Sequence, residues 1–168
     1  ALFMAVCRTL IKATALQNDC PDDCLNYVNR LLCGDNASEL FVTVFYGVLN
    51  TKTGEITYSN AGHNPPYWVH NNGMHPTPLQ NQGGIVLGVM ADVAYQKDTI
   101  TLAPGECLFL YTDGVTEAMD KDRNLFCDTR LEEHLAGACA LPLDEMARGL
   151  ADVITAFTVS FPQHDDIT

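Results

Sequence analysis

In the first fifteen residues, apolar positions recur at helical spacing. Phe3, Val6, Leu10 and Ala13 fall on one side with Arg8 and Lys12 on the other, which predicts a helix already under way at residue one. A second helix is predicted from Pro21. Asp22 and Asp23 suit its positive end, Leu25, Val28, Leu31 and Leu32 form its buried stripe, and Gly34 stops it. The period then changes. Leu40 to Leu49 is rich in β-branched and aromatic residues, Asn50 to Gly54 carries turn chemistry, and Glu55 to Ser59 alternates, so a β-hairpin is predicted. Further strands are predicted at Tyr67 to His70, Ala94 to Leu102 and Glu106 to Tyr111. Asn71 to Gly73 and Pro104-Gly105 supply turns, and Pro76, Pro78, Gly83 and Gly84 mark an irregular connection. Asp128 or Thr129 can cap a helix through Leu131 and Leu135, and Pro142 opens another carrying Leu143, Met146, Leu150, Val153 and Phe157. Helices, then antiparallel strands, then helices, without βαβ alternation, predict an α+β layered domain. No repeat or linker divides residues 1–168, and the opening inside a helix leads us to expect the larger, C-terminal part of one domain.

Composition narrows the partners. A formal net charge of −12 supplies no basic stripe of the kind a phosphate backbone requires, so nucleic acid and acidic membrane surfaces are not expected partners. Seven cysteines form an odd set and mostly sit in apolar segments, which fits reduced thiols and a cytoplasmic location better than a disulfide framework. Cys20 and Cys24 lack a second close pair or a suitably spaced His, so they read as packing residues and not as zinc ligands. The Asn36-Ala37-Ser38 sequon carries little without a secretory route. No basic leader and no apolar stretch long enough to span a bilayer is seen.

Candidate chemistry lies in carboxylates. The chain lacks a GxxxxGK loop, a GxSxG elbow and an HExxH helix, which removes the hydrolase classes built on them. Asp113 follows a buried apolar run and precedes Gly114, where a small residue permits close approach. That dipeptide reads either as a turn or as a metal ligand. Asp165 and Asp166 are adjacent carboxylates before Ile167-Thr168, a pairing tolerated best in solvent or around a cation.

Several segments, taken in order, carry a resemblance. Leu2 to Ala5 (LFMA), Phe41 to Leu49, Asn60 to Pro66 (NAGHNPP), Tyr111 to Ala118 (YTDGVTEA) and Asp165 to Thr168 (DDIT) resemble the SpoIIE/RsbU branch of bacterial PPM-type phosphatases from end to end. NAGHNPP and YTDGVTEA are its most specific parts, being long and irregular. The resemblance implies a four-layer α-β-β-α sandwich with Mn²⁺ or Mg²⁺ at one end. It implies metal ligands at Asp113 and Asp165, and a bridging Asp and its glycine expected upstream of Ala1, without which the N-terminal edge and the metal site are incomplete. Two cations about 3.5–4 Å apart can hold a water, lower its pKa and neutralise phosphate during in-line attack, so no covalent nucleophile is required. Oxygen ligands suit these hard ions. Asp166 fits a supporting or strand-capping position. His63 can serve as a general acid toward a serine leaving group, or its ring can fix the loop, and Asn60 and Asn64 can organise the bend that Pro65-Pro66 stiffens. Val115 to Met119 is either a flap or a short helix.

By the same resemblance the activity is that of a serine/threonine protein phosphatase. Its substrate would be a phosphorylated STAS-domain anti-anti-sigma protein in a partner-switching pathway, and a sensor or receiver module would lie upstream. A homodimer is compatible with this plan. The alternative is a catalytically incomplete phosphatase-like domain acting as an interaction module.

Overall fold

A computed structural model describes residues 2–17, 19–34, 40–80, 84–158 and 167. In chain order its elements are α1 (Leu2–Ala15), α2 (Pro21–Gly34), β1 (Val44–Leu49), β2 (Glu55–Ala61), β3 (Tyr67–Val69), β4 (Thr77–Pro78), β5 (Asp98–Thr101), β6 (Cys107–Phe109), α3 (Asp113–Thr116), α4 (Cys127–Ala138) and α5 (Leu143–Phe157). Contacts divide the chain into two compact units, Ala1–His63 with Gln80–Pro104 and Asn64–Leu79 with Gly105–Thr168.

The first unit is built on the predicted hairpin. Gly54 adopts φ +76°, its N–H donates to the Asn50 carbonyl at 2.9 Å, and a Cβ there would strike the Leu102 carbonyl. Only glycine satisfies both demands. β1 and β2 then pair antiparallel from Leu49↔Ile56 to Val44↔Ala61, and β5 adds to the other side of β2, from Glu55↔Thr101 to Tyr58↔Asp98. Cys7, Cys24, Leu25, Val28, Leu32, Ala61, Leu87 and Tyr95 form the core of this unit. The buried line of α1 is rotated from the predicted one: Cys7 lies deepest, with Phe3, Leu10 and Ile11 against the core, whereas Val6 and Ala13 are exposed. In α2, Leu31 is likewise exposed, and the polar Asn29 takes an inward position. Asn29 is fully buried because its amide has work there: Nδ2 donates to the Met90 carbonyl at 2.8 Å and Oδ1 accepts the Gly88 N–H at 2.9 Å. One turn earlier Asn26 does the same with Tyr95, accepting its N–H at 2.8 Å and donating to its carbonyl at 3.3 Å. Two side-chain amides thus tie the irregular segment before β5 to one helix.

In the second unit β3 is central, with β4 and β6 antiparallel on its two sides. Phe126, Leu131, Leu135, Met146, Leu150 and Ile154 form its core together with Tyr67, Val69, Tyr111 and Val115. Leu143 and Val153, apolar residues of the predicted last helix, are exposed. The predicted strands at 40–49, 94–102 and 106–111 are each trimmed to their paired centres, because an alternating sequence lengthens a strand only where a partner offers hydrogen bonds. β4, in turn, forms inside the predicted irregular connection, where Pro78 sits opposite Tyr67 on an edge strand, the position a residue without N–H tolerates. α4 starts at Cys127 without a side-chain cap, correcting the predicted Asp128 or Thr129 cap. Asp128 instead accepts a hydrogen bond from the Tyr111 hydroxyl at 3.3 Å. Among the described residues no helix is long and apolar enough to cross a membrane.

Asn29→Leu tests the clamp. It keeps the branched shape but removes the Asn29 partner of the Gly88 N–H and of the Met90 carbonyl, so stability should fall by about 1–3 kcal/mol, measured by urea denaturation. An unchanged midpoint would mean the amide is not holding this segment.

Candidate active site

The NAGHNPP segment leaves the end of β2 as a built turn. Asn60, buried at 7% exposure, accepts the His63 N–H on Oδ1 at 2.8 Å and donates from Nδ2 to the His63 carbonyl at 2.9 Å. One side chain therefore fixes both polar groups of a residue three positions on. Between them Gly62 adopts φ +69°, and a Cβ there would meet Val86 Cγ1 at 2.8 Å and Val86 N at 3.0 Å. Gly84 packs so closely on the Asn60 carbonyl that a side chain has no room. His63 is half-buried, with Nδ1 3.2 Å from the Thr43 hydroxyl. The arrangement matches the loop-organising reading of Asn60.

Asp113 stands just past β6, at the head of the four-residue helix α3. Gly114 and Val115 are buried while Asp113 is exposed, so the backbone is anchored beneath a carboxylate that faces outward. The hydrogen bonds described for Asp113 fall on its main-chain carbonyl, from the Glu117 N–H at 2.8 Å and the Thr116 hydroxyl at 3.3 Å. α3 settles part of the Val115 to Met119 segment as a short helix. A single exposed carboxylate is the donor type hard divalent cations take, so Asp113 fits a ligand role. Asp165 and Asp166 lie outside the described residues. Among the described residues the three-member cluster of ligand-type side chains is Cys20, Asp22 and Asp23, which does not include Asp113.

Support for the Asp113 strand comes from a polar and aromatic network within the same unit. Tyr67 and Tyr111 stack with centroids 5.7 Å apart. The Tyr67 hydroxyl donates to Glu132 at 2.9 Å, and the Tyr111 hydroxyl meets Asp128 and the Asn64 side chain. Burial, then the hydrogen bond to Glu132, raises the Tyr67 phenol above its ordinary range, and burial with the Asp128 charge pushes Tyr111 up to about 12. On the same sheet Glu106 accepts the Trp68 indole N–H at 3.0 Å and lies 2.9 Å from His70 Nδ1, the Glu106 and His70 side chains each being 10% exposed. Sequence reasoning missed this cluster. Its one visible signal was a charge, Glu106, opening an otherwise apolar strand. His63 belongs to the first unit and Asp113 to the second, and each is described in its own unit.

The family profile described as Stage II sporulation protein E (SpoIIE) matches residues 1–168. The chain belongs to the SpoIIE family. Among similar proteins is the phosphoserine phosphatase RsbU of Bacillus subtilis, 28% identical over 153 residues, covering 88% of this chain and 43% of that protein. The chain spans less than half the length of the curated relatives first matched. Among solved structures, the SiaA-PP2C domain of Pseudomonas aeruginosa superposes with a TM-score of 0.85 at 20% identity, covering 99% of this chain and 67% of that one. The phosphatase domain of SpoIIE from Bacillus subtilis, from a manganese-presoaked crystal, gives 0.66 at 15% identity over 96% of this chain and 70% of that one. The predicted α+β fold of PPM type is therefore the fold of this SpoIIE-family chain.

The two buried phenols set an alkaline limit. Both hold their protons more tightly in the folded state, so their contribution to stability is complete below the unfolded value of about 10 and is lost as pH rises through the folded value. For Tyr111 that window closes at about 12. Denaturation midpoints should fall across this window in the wild type and less steeply in Tyr111→Phe, with tyrosinate absorbance following the loss. Equal slopes for the two proteins would contradict the assignment.

Proposed function

We propose that this SpoIIE-family chain is the catalytic part of a divalent-metal-dependent phosphoserine phosphatase. The observation that carries the proposal is the placement of Asp113, a carboxylate left exposed on a backbone buried at Gly114 and Val115, at the exit of a strand. The similarity to RsbU supplies the class of substrate, a serine phosphate. Asp113 and Asp165 would hold Mn²⁺ or Mg²⁺, with a further carboxylate contributed from upstream of Ala1 in a single domain that includes both units. When bound, such ions neutralise phosphate charge and make water a nucleophile at neutral pH. The chain's own residues then position: α3 and the Tyr67–Tyr111 stack hold Asp113, and Asn60 holds the His63 loop. His63 has its main chain taken up by Asn60 and its Nδ1 beside Thr43, an arrangement that favours loop fixing over general-acid duty. As the substrate we propose a phosphorylated STAS-domain anti-anti-sigma protein in a partner-switching pathway controlled by an upstream sensor or receiver module.

The test uses the full-length protein and a phosphoserine protein substrate. Asp113→Asn and Asp165→Asn should each remove most turnover while circular dichroism stays native, because each nearly keeps volume and deletes one charge facing a cation. His63→Ala should cost less than the roughly 10²–10⁴-fold typical of a lost general acid. Chelation should abolish activity and Mn²⁺ restore it. Wild-type turnover by folded Asp113→Asn would sink the site, and a folded full-length protein inert with every divalent ion would favour the interaction-module reading.

A further inference from the structure

The turn leading into α2 carries a contact that neither the fold nor the proposed hydrolysis uses. Cys20, expected as a packing residue, is only half-buried, whereas Cys24 is fully buried. Lys97 Nζ donates to Cys20 Sγ at 3.6 Å and lies 3.5 Å from Asp22 Oδ1, with the lysine side chain 45% exposed. A thiol and a primary amine thus meet where small oxidants can reach them. The two residues are 77 positions apart in sequence, one opening α2 and the other preceding β5. Asp22 and Asp23 place their carboxylates within 4.8 Å of the sulfur, and the Lys97 ammonium answers that negative charge.

We propose that Cys20 and Lys97 form a redox-sensitive pair that hydrogen peroxide converts into a covalent S–O–N cross-link. The Cys20 thiolate attacks the first peroxide, giving a sulfenic acid and water. A second peroxide oxidises the Lys97 nitrogen, which bonds to the sulfenic oxygen as two more waters leave. In total the S–H and one N–H bond break, S–O and O–N bonds form, and sulfur and nitrogen each give up two electrons. Asp22 first and Cys20 second hold the Lys97 proton, and oxidation of the sulfur removes the Cys20 part of that hold, so the amine becomes easier to deprotonate for the second step. A dithiol reductant would restore thiol and amine. The bond would staple the start of α2 to the start of β5 within the first unit.

The experiment treats the folded chain with hydrogen peroxide and maps its peptides by mass spectrometry. The expected product is a cross-linked pair containing Cys20 and Lys97, heavier than the two peptides together by one oxygen less two hydrogens. It should disappear after dithiothreitol. Lys97→Arg keeps the charge beside Asp22 and should lose the product, as should wild type oxidised in guanidinium chloride. If peroxide takes Cys20 of the folded wild type only to sulfinic acid or a disulfide, with Lys97 unmodified, the proposal is wrong. It is equally wrong if the same mass change persists on Cys20 in Lys97→Arg.

Discussion

The first unit depends on the way Asn60 holds His63. A strand that ends in a left-handed residue must surrender its ladder hydrogen bonds and find others, since buried backbone groups left unpaired cost about as much as a lost hydrogen bond. Asn60 supplies both from one side chain, at 2.8 and 2.9 Å. The two glycines follow from that arrangement: Gly62 because Val86 fills the space a Cβ would need, and Gly84 because it lies against the Asn60 carbonyl itself. With the exit of β2 fixed, its register with β1 and β5 cannot slip, since a shift of one residue would turn Ile56, Tyr58 and Asn60 away from the side on which they are buried. The same logic repeats at Asn26 and Asn29, which settle a segment without regular structure by amide-to-backbone bonds. Polar side chains here do what a ladder does elsewhere.

The second unit reaches rigidity by another route. Its short strands offer few ladder bonds, and β3 and β6 share three residue pairs. Aromatic area and satisfied carboxylates make up the difference: the Tyr67–Tyr111 stack closes on Asp128 and Glu132, and Trp68 and His70 close on Glu106. Such networks are favourable only when every member is paired, because the low dielectric that strengthens each bond also penalises each orphan. Both phenols are donors, to Glu132 and Asp128, which is the state their raised pKa values describe.

Much of this was legible from the chain. The hairpin at Asn50 to Gly54, the helix opening at Pro21 and the turn-forming role of Asn60 follow from local chemistry, since each depends on neighbours within five residues. What failed was everything set by distant partners. Helical spacing placed Val6 and Ala13 inward, but a stripe is fixed only to within the width of a residue, and the neighbouring helix and sheet select the line through Cys7. Asn29 in a core and Pro78 in a strand contradict residue-type averages, and both are explained by a contact that sequence pattern does not encode. Asp128 looked like a cap and serves Tyr111 instead. Of the site, the resemblance singled out Asp113 and the structure shows its anchored, outward position, whereas the network that supports it left only the trace of Glu106.

A carboxylate that is to hold a divalent cation must be withheld from the protein's own donors while its backbone is held still. Several acidic residues described here fail that condition. Asp120 accepts from the Asn124 side chain and from the backbone of Asp122 and Asn124, Glu106 from Trp68, Glu132 from Tyr67, and Asp22 faces Lys97. In each of these a donor or ammonium of the protein itself already faces the carboxylate. Asp113 differs in that its carbonyl is consumed by Glu117 and Thr116 while its residue surface stays open. Gly114 matters for the same reason: being buried, it lets α3 sink against the core beneath its exposed first residue. Preorganisation of this kind lowers the ordering cost of binding a hard ion, because the ligand's backbone is already in place. Burial beneath and exposure above, at adjacent residues, is how the fold presents Asp113 on a fixed backbone.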